Sequence, residues 1–197
     1  DLRGLIGRYT AIAHSHPGYL GRSLVEFELY ILLALALVQE YEVLEWLAEG
    51  IVEKYGISFT PSVKESVVRK NQNSIPFYFL EYAKYKLGRS EHPHLSGYYE
   101  TAISNYTTTF DDFQFLILLN LFLVDIYSAD RNFDRAGVAY NRALELSHLA
   151  SYDLHTAILL NNDPFQDPKK LERAAGMIAA SGFNPALFNL TFGPVEP

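Results

Sequence analysis

At 197 residues the chain is long enough for one domain with a sizeable core or for a short repeat array. Its 49% hydrophobic and 20% charged residues are globular proportions and exclude wholesale disorder. A net charge of −7 argues against a general nucleic-acid binder, and zero cysteines exclude disulfides, thiol nucleophiles and thiolate metal sites together while leaving the compartment open.

The longest uninterrupted apolar run, Leu29 to Val38, is half of what a membrane span needs. No charged, apolar, small-residue leader opens the chain, so no signal peptide is expected within these residues. A soluble protein is expected, in an intracellular setting that fits cytoplasm or organelle alike. Charge is unevenly spread: residues 64–89 carry six bases and two acids, net +4, whereas 90–163 carry three bases and ten acids, net −7.

Leu2, Leu5, Ile6, Tyr9, Ile12 and Ala13 recur at three- and four-residue spacings and predict a helix over 1–13. Pro17-Gly18 is the turn signal after it, with His14 and His16 placed in that turn. Ser23 and Glu26 form a capping box. The helix they open, to about Gln39, is apolar almost all round and belongs in the middle of a stack. Tyr41 to Tyr55 is the next helix, and Gly56 suits the left-handed position just past its end.

Thr60-Pro61 reads as N-cap and first helical residue, where proline costs no hydrogen bond, and predicts a largely polar helix over 61–72. Pro76 opens a Tyr/Phe-rich helix ending at Gly88. Pro93 marks the next start, with Leu95, Tyr98, Tyr99, Ala102 and Ile103 as its inward stripe, and Thr107 to Thr109 break it. Two helices of similar length follow from near Asp111 to Ala150, joined by the polar turn Ala129-Asp130-Arg131-Asn132. A short helix is predicted over 152–160. Asp167-Pro168 then caps a helix running to Ser181 and stopping at Gly182. Pro185 to Leu190 forms one last turn. The sum is an all-α protein of about ten helices, in a single domain over 1–192 with an extended tail at 193–197. The short connections imply antiparallel helical hairpins.

The stretch 117–150 carries the most specific pattern. Tyr127 and Phe133 flank the turn, Leu123 lies one turn before Tyr127, and Ala136, Tyr140 and Ala143 follow at fixed spacing. In this it resembles a tetratricopeptide repeat, in which small residues such as Ala136 sit where the paired helices cross. It departs from that pattern at Asn120, where a Trp is common, at Val124 and Arg131, where glycines are usual, and at His148, where a Pro often ends the unit. The resemblance implies a short α-solenoid with degenerate flanking repeats. It also implies a concave partner groove lined by Leu118, Leu121, Asp125 and Ser128. Leu121 and Asp125 do not fit the subset of the family that clamps chaperone carboxylates with Asn and Lys-type residues.

Residues 27–63, ending GIVEKYGISFTPSV, also look like a pentatricopeptide repeat, a family that binds single-stranded RNA one base per repeat. The acidic side chains Glu26, Glu28, Glu40, Glu42, Glu45, Glu49 and Glu53 make that pair a poor wall for phosphates. A basic segment could serve RNA instead: Lys64, Arg69, Lys70, Lys84, Lys86 and Arg89, interleaved with Phe77, Tyr78, Phe79, Tyr82 and Tyr85. The plainer reading makes those aromatics core and those lysines a wet face. The pairs His14/His16 and His92/His94 have metal-like spacing, yet both sit beside prolines in expected turns. Asp111 and Asp112 suit a helix N-terminus better than acid–base work, and Asp125, Asp130 and Asp134 lie around the same helix pair. No catalytic motif occurs. The expectation is a non-catalytic protein-binding scaffold or structural subunit, without cofactor or metal, and RNA binding through 64–89 is the alternative.

Overall fold

The structure, a computed structural model, describes residues 2–15, 28, 31–36, 38–55, 75–91, 94–105, 113–151 and 153–182. Among them every regular element is an α-helix and no strand occurs. The helices are α1 (Leu2–Ser15), α2 (Tyr41–Tyr55), α3 (Ile75–Lys86), α4 (Leu95–Asn105), α5 (Phe113–Ala129), α6 (Phe133–Leu149), α7 (Asp153–Asn161) and α8 (Pro168–Ser181). A further helical stretch covers 31–36. The helix expected over 61–72, the cap at Gly56, the turn at 185–190 and the tail at 193–197 lie outside the described residues. None of the described helices is long and apolar enough to cross a membrane.

Local chemistry sets the helix ends. Asp167 caps α8 by accepting from the Lys169 amide at 3.0 Å, Pro168 opens the first turn, and Gly182 leaves it with φ +70°. Asn132 caps α6 by accepting from the Arg135 amide at 3.3 Å.

Three other helix ends close with one device. The Arg89 amide donates to the Lys84 carbonyl at 2.7 Å, Glu40 to Leu35 at 3.0 Å, and Asn132 to Tyr127 at 2.8 Å. In each case the preceding residue is left-handed: Gly88 at φ +68°, Gln39 at +61° and Arg131 at +56°. Glycine adopts that region without a Cβ clash, whereas arginine does not. Arg131→Gly is therefore expected to raise stability by about 0.5–1 kcal/mol. A higher urea midpoint at unchanged slope checks this, and a lower midpoint would show that the exposed Arg131 side chain compensates for its backbone.

The chain divides into two compact units, Asp1–Pro93 and His94–Pro197. In the first, α2 packs on α3. Their apolar faces are matched: Leu44 and Ala48 of α2, and Phe79, Tyr82 and Ala83 of α3, are sealed from solvent. Tyr41 meets Tyr82 edge-on at 6.0 Å between ring centroids.

In the second unit α5 is the buried element. Residues 115–120 and 122–127 all lie inside, as a helix apolar on every side requires. It packs on α4 and on α6, α6 packs on α7, and α7 packs on α8. Leu116 and Ile117 join Ala143, Leu146 and Leu159 in one cluster. Tyr99 of α4 stacks edge-on against Phe122 at 5.7 Å. The polar atoms inside are satisfied: Asn120 Nδ2 donates to the Leu116 carbonyl at 2.7 Å, and the Ser147 and Thr156 hydroxyls share a hydrogen bond of 2.9 Å that ties α6 to α7.

Candidate functional site

The residues of the expected groove lie along α5, on different levels. Leu118 and Asp125 are buried, while Leu121 and Ser128 are half-buried. Leu121 packs against the Leu116–Leu146 cluster, and Ser128 Oγ donates to the Val124 carbonyl at 2.6 Å. Leu118 and Asp125 therefore belong to the core of the unit, and a segment laid across this face would meet Leu121 and Ser128. The repeat resemblance implies these four positions, but in a helix covered on most sides it does not tell which of them stay open.

The basic segment is brought together only in part, and its charges are already engaged. Lys64, Arg69 and Lys70 lie outside the described residues. Lys84 Nζ is 3.8 Å from Glu81, Lys86 stands over the Tyr41 ring at 5.6 Å, and Arg89 bridges Glu42 at 3.7 Å and Glu45. Of the five aromatics named with them, Tyr78, Phe79 and Tyr82 are buried while Phe77 and Tyr85 are half-buried, and burial pushes the Tyr78 hydroxyl up to about 12. A base cannot stack on a ring enclosed by its own helices. In the described half of this segment, three of the rings are buried and the three cations already have partners.

His14 falls in the last turn of α1 rather than in the turn expected for it. His94 is exposed just before α4, and His16 and His92 lie outside the described residues. No group of three or more metal-ligating side chains gathers among the described residues. Asp130 and Asp134 are exposed, whereas Asp125 is buried. The three do not converge on one site.

The sequence reading missed the most tightly organised polar cluster, at the α7–α8 connection. Asp163 is fully buried. One of its carboxylate oxygens accepts from the Asp167 amide at 2.9 Å and the other from the Phe165 amide at 3.4 Å. Lys170 Nζ lies 3.6 Å from the same carboxylate and 4.5 Å above the Tyr140 ring. Tyr140 donates to the Leu159 carbonyl at 2.9 Å. Burial, with Asp163 and Asp167 nearby, pushes the Tyr140 hydroxyl well above its ordinary range. Phe165 covers the cluster edge-on at 6.1 Å from Tyr140. The arrangement fastens a loop: every Asp163 oxygen already serves a backbone amide or Lys170, and none is turned to an open space. The repeated Asp-Pro of Asp163-Pro164 and Asp167-Pro168 is the sequence signal that could have pointed to it.

A second tie joins three helices. Tyr127 of α5 donates to Glu100 of α4, and Arg135 of α6 lies 3.7 Å from the same carboxylate and 5.6 Å over the Tyr127 ring. Desolvation, followed by the Glu100 hydrogen bond, raises the Tyr127 hydroxyl. Tyr127 is thereby a cross-helix anchor near the end of α5.

Outward-facing features are of two kinds. In the first unit an open cleft of about 590 Å³ is bordered by Arg3, Glu40, Tyr41, Glu42 and Leu87. On the helix surfaces, Trp46 of α2 and Val138 and Leu149 of α6 stand in solvent, the last two at 71% and 66% exposure. Comparison of the chain with protein-family models, with curated proteins and with solved structures finds no match.

Proposed function

We propose that the chain is a non-catalytic scaffold, or a structural subunit of a larger assembly, that binds a partner protein across its helices. In this reading residues 94–182 are a short tetratricopeptide-like array of antiparallel hairpins. The observation that supports it most is sequential packing, with each helix from α4 to α8 set against the next. Ala136 and Ala143 have no exposure at the place where such hairpins cross. Stacked units of this kind present one rigid wall, and preorganisation limits the entropy lost when a partner segment is laid on it.

The wall available for contact has two parts. Leu121 and Ser128 form the accessible rim of the α5 face, with Leu118 and Asp125 behind them. On α6, Val138, Arg142, Glu145 and Leu149 share an outer face by their spacing, and Arg142 pairs with Glu145 at 3.0 Å. Exposed apolar side chains rimmed by charge are the usual composition of a protein-binding surface.

Affinity capture with the intact chain and with a Val138→Glu, Leu149→Glu variant tests this. Recovery of one stoichiometric partner by the parent chain and its loss with the variant is the expected result. Recovery of no partner by either, from a chain that stays monomeric in solution, would overturn the scaffold reading.

A further inference from the structure

We propose that the outward face of α2 docks an arginine- or lysine-bearing segment of a partner protein, with Trp46 at the centre of the contact; this rests on the scaffold reading and names the chemistry of one of its ligands. Glu42, Trp46, Glu49 and Glu53 follow at intervals of four, three and four residues, which places them on one helical face, and all four are exposed. The opposite face holds Val43, Leu44, Leu47, Ala48 and Ile51, all buried. The core of the unit therefore fixes which way the stripe points.

Three observations select a cationic occupant. First, the face already seats a guanidinium. Arg89, in the loop after α3, lies 3.7 Å from Glu42 and is hydrogen-bonded to Glu45. Second, Glu49 and Glu53, one and two turns further along, make no ion pair among the described residues. The pairs Glu45/Glu49 and Glu49/Glu53 stand at like-charge spacing, which weakens the helix that carries them. A cation laid along the stripe relieves that repulsion. Third, Trp46 is 42% exposed amid these carboxylates. An indole ring is the best aromatic surface for a cation and also packs against the alkyl stem of Arg or Lys. A hydrophobic partner would leave the carboxylates desolvated and unpaired, and a nucleic acid would be repelled.

Trp46 is the chain's one tryptophan, so its fluorescence reports on this face alone. The full chain is titrated with an amphipathic arginine-rich peptide and with the same peptide carrying glutamine at each arginine. The arginine peptide is expected to change Trp46 emission saturably, with affinity that falls as salt rises, and the glutamine peptide to leave it unchanged. In a Glu49→Gln, Glu53→Gln chain, affinity for the arginine peptide should fall by about threefold or more. Both substitutions lie on exposed positions, and an unchanged circular dichroism spectrum confirms that the fold is kept. Equal response to both peptides, or equal affinity in the parent and double-variant chains, overturns the proposal. So does a concentration-dependent emission change without peptide, which would place a second copy of the chain on this face. If the double variant still captures the partner recovered by the parent chain, the scaffold reading stands and only this face is excluded from it.

Discussion

Asp163→Ala is expected to destabilise the protein by about 2–4 kcal/mol. The fully buried carboxylate accepts from the Phe165 and Asp167 amides and faces Lys170 at 3.6 Å. Removing it orphans two backbone donors and leaves an ammonium without its counter-charge. Lys170 keeps about a quarter of its side chain in solvent, which holds the loss below that of a fully enclosed pair. Asp163→Asn retains an acceptor oxygen and similar shape, so about half the loss is expected. Lys170→Met separates the contributions: a small effect there beside a large one at Asp163 would assign the stability to the backbone amides. Urea denaturation of the three variants gives the comparison, and an Asp163→Ala chain as stable as the parent would show that the α7–α8 loop closes without this carboxylate.

The second large effect is expected at the α5–α6 crossing. Ala136 and Ala143 are both completely buried, one on each side of Tyr140 along α6. Ala136→Leu adds three carbons where none fit, and overpacking should cost about 2–3 kcal/mol. The neighbouring turn cannot yield freely, because a Cβ at Gly137 would already stand 3.4 Å from the Phe165 ring. Ala136→Ser, close in volume, serves as the control and should cost much less. A neutral Ala136→Leu would mean that α5 and α6 do not approach each other at this point.

These two sites were not equally visible in the sequence. Ala136 stands out through the repeat resemblance, which implies a small residue there, and its spacing from Tyr127, Phe133 and Tyr140 is local information. Asp163 reads as an ordinary loop acid, because its burial depends on Tyr140, 23 positions away, and on a loop that folds back over it. The basic segment shows the same division. Lys84, Lys86 and Arg89 look like a cationic strip on paper, yet Arg89 is held by Glu45 across a separation of 44 residues. Such a pairing leaves no periodic trace.

Among the described residues, the helical character of every regular element and several helix ends were legible from the chain alone. Asp167 with Pro168 opens α8, Gly182 ends it, and Asn132 caps α6. Tyr41 to Tyr55 is helical over the predicted span. Capping, proline placement and apolar spacing act within a few residues, so they can be read from the chain alone. Tertiary structure decided which side chains those helices cover. It enclosed Leu118 and Asp125, closed the Tyr/Phe-rich face of α3 on α2, and divided the chain at Pro93. It also left Trp46 and its flanking carboxylates facing solvent. Burial is a property of which elements meet, and that is settled by the summed fit of whole faces and not by any one residue's neighbours.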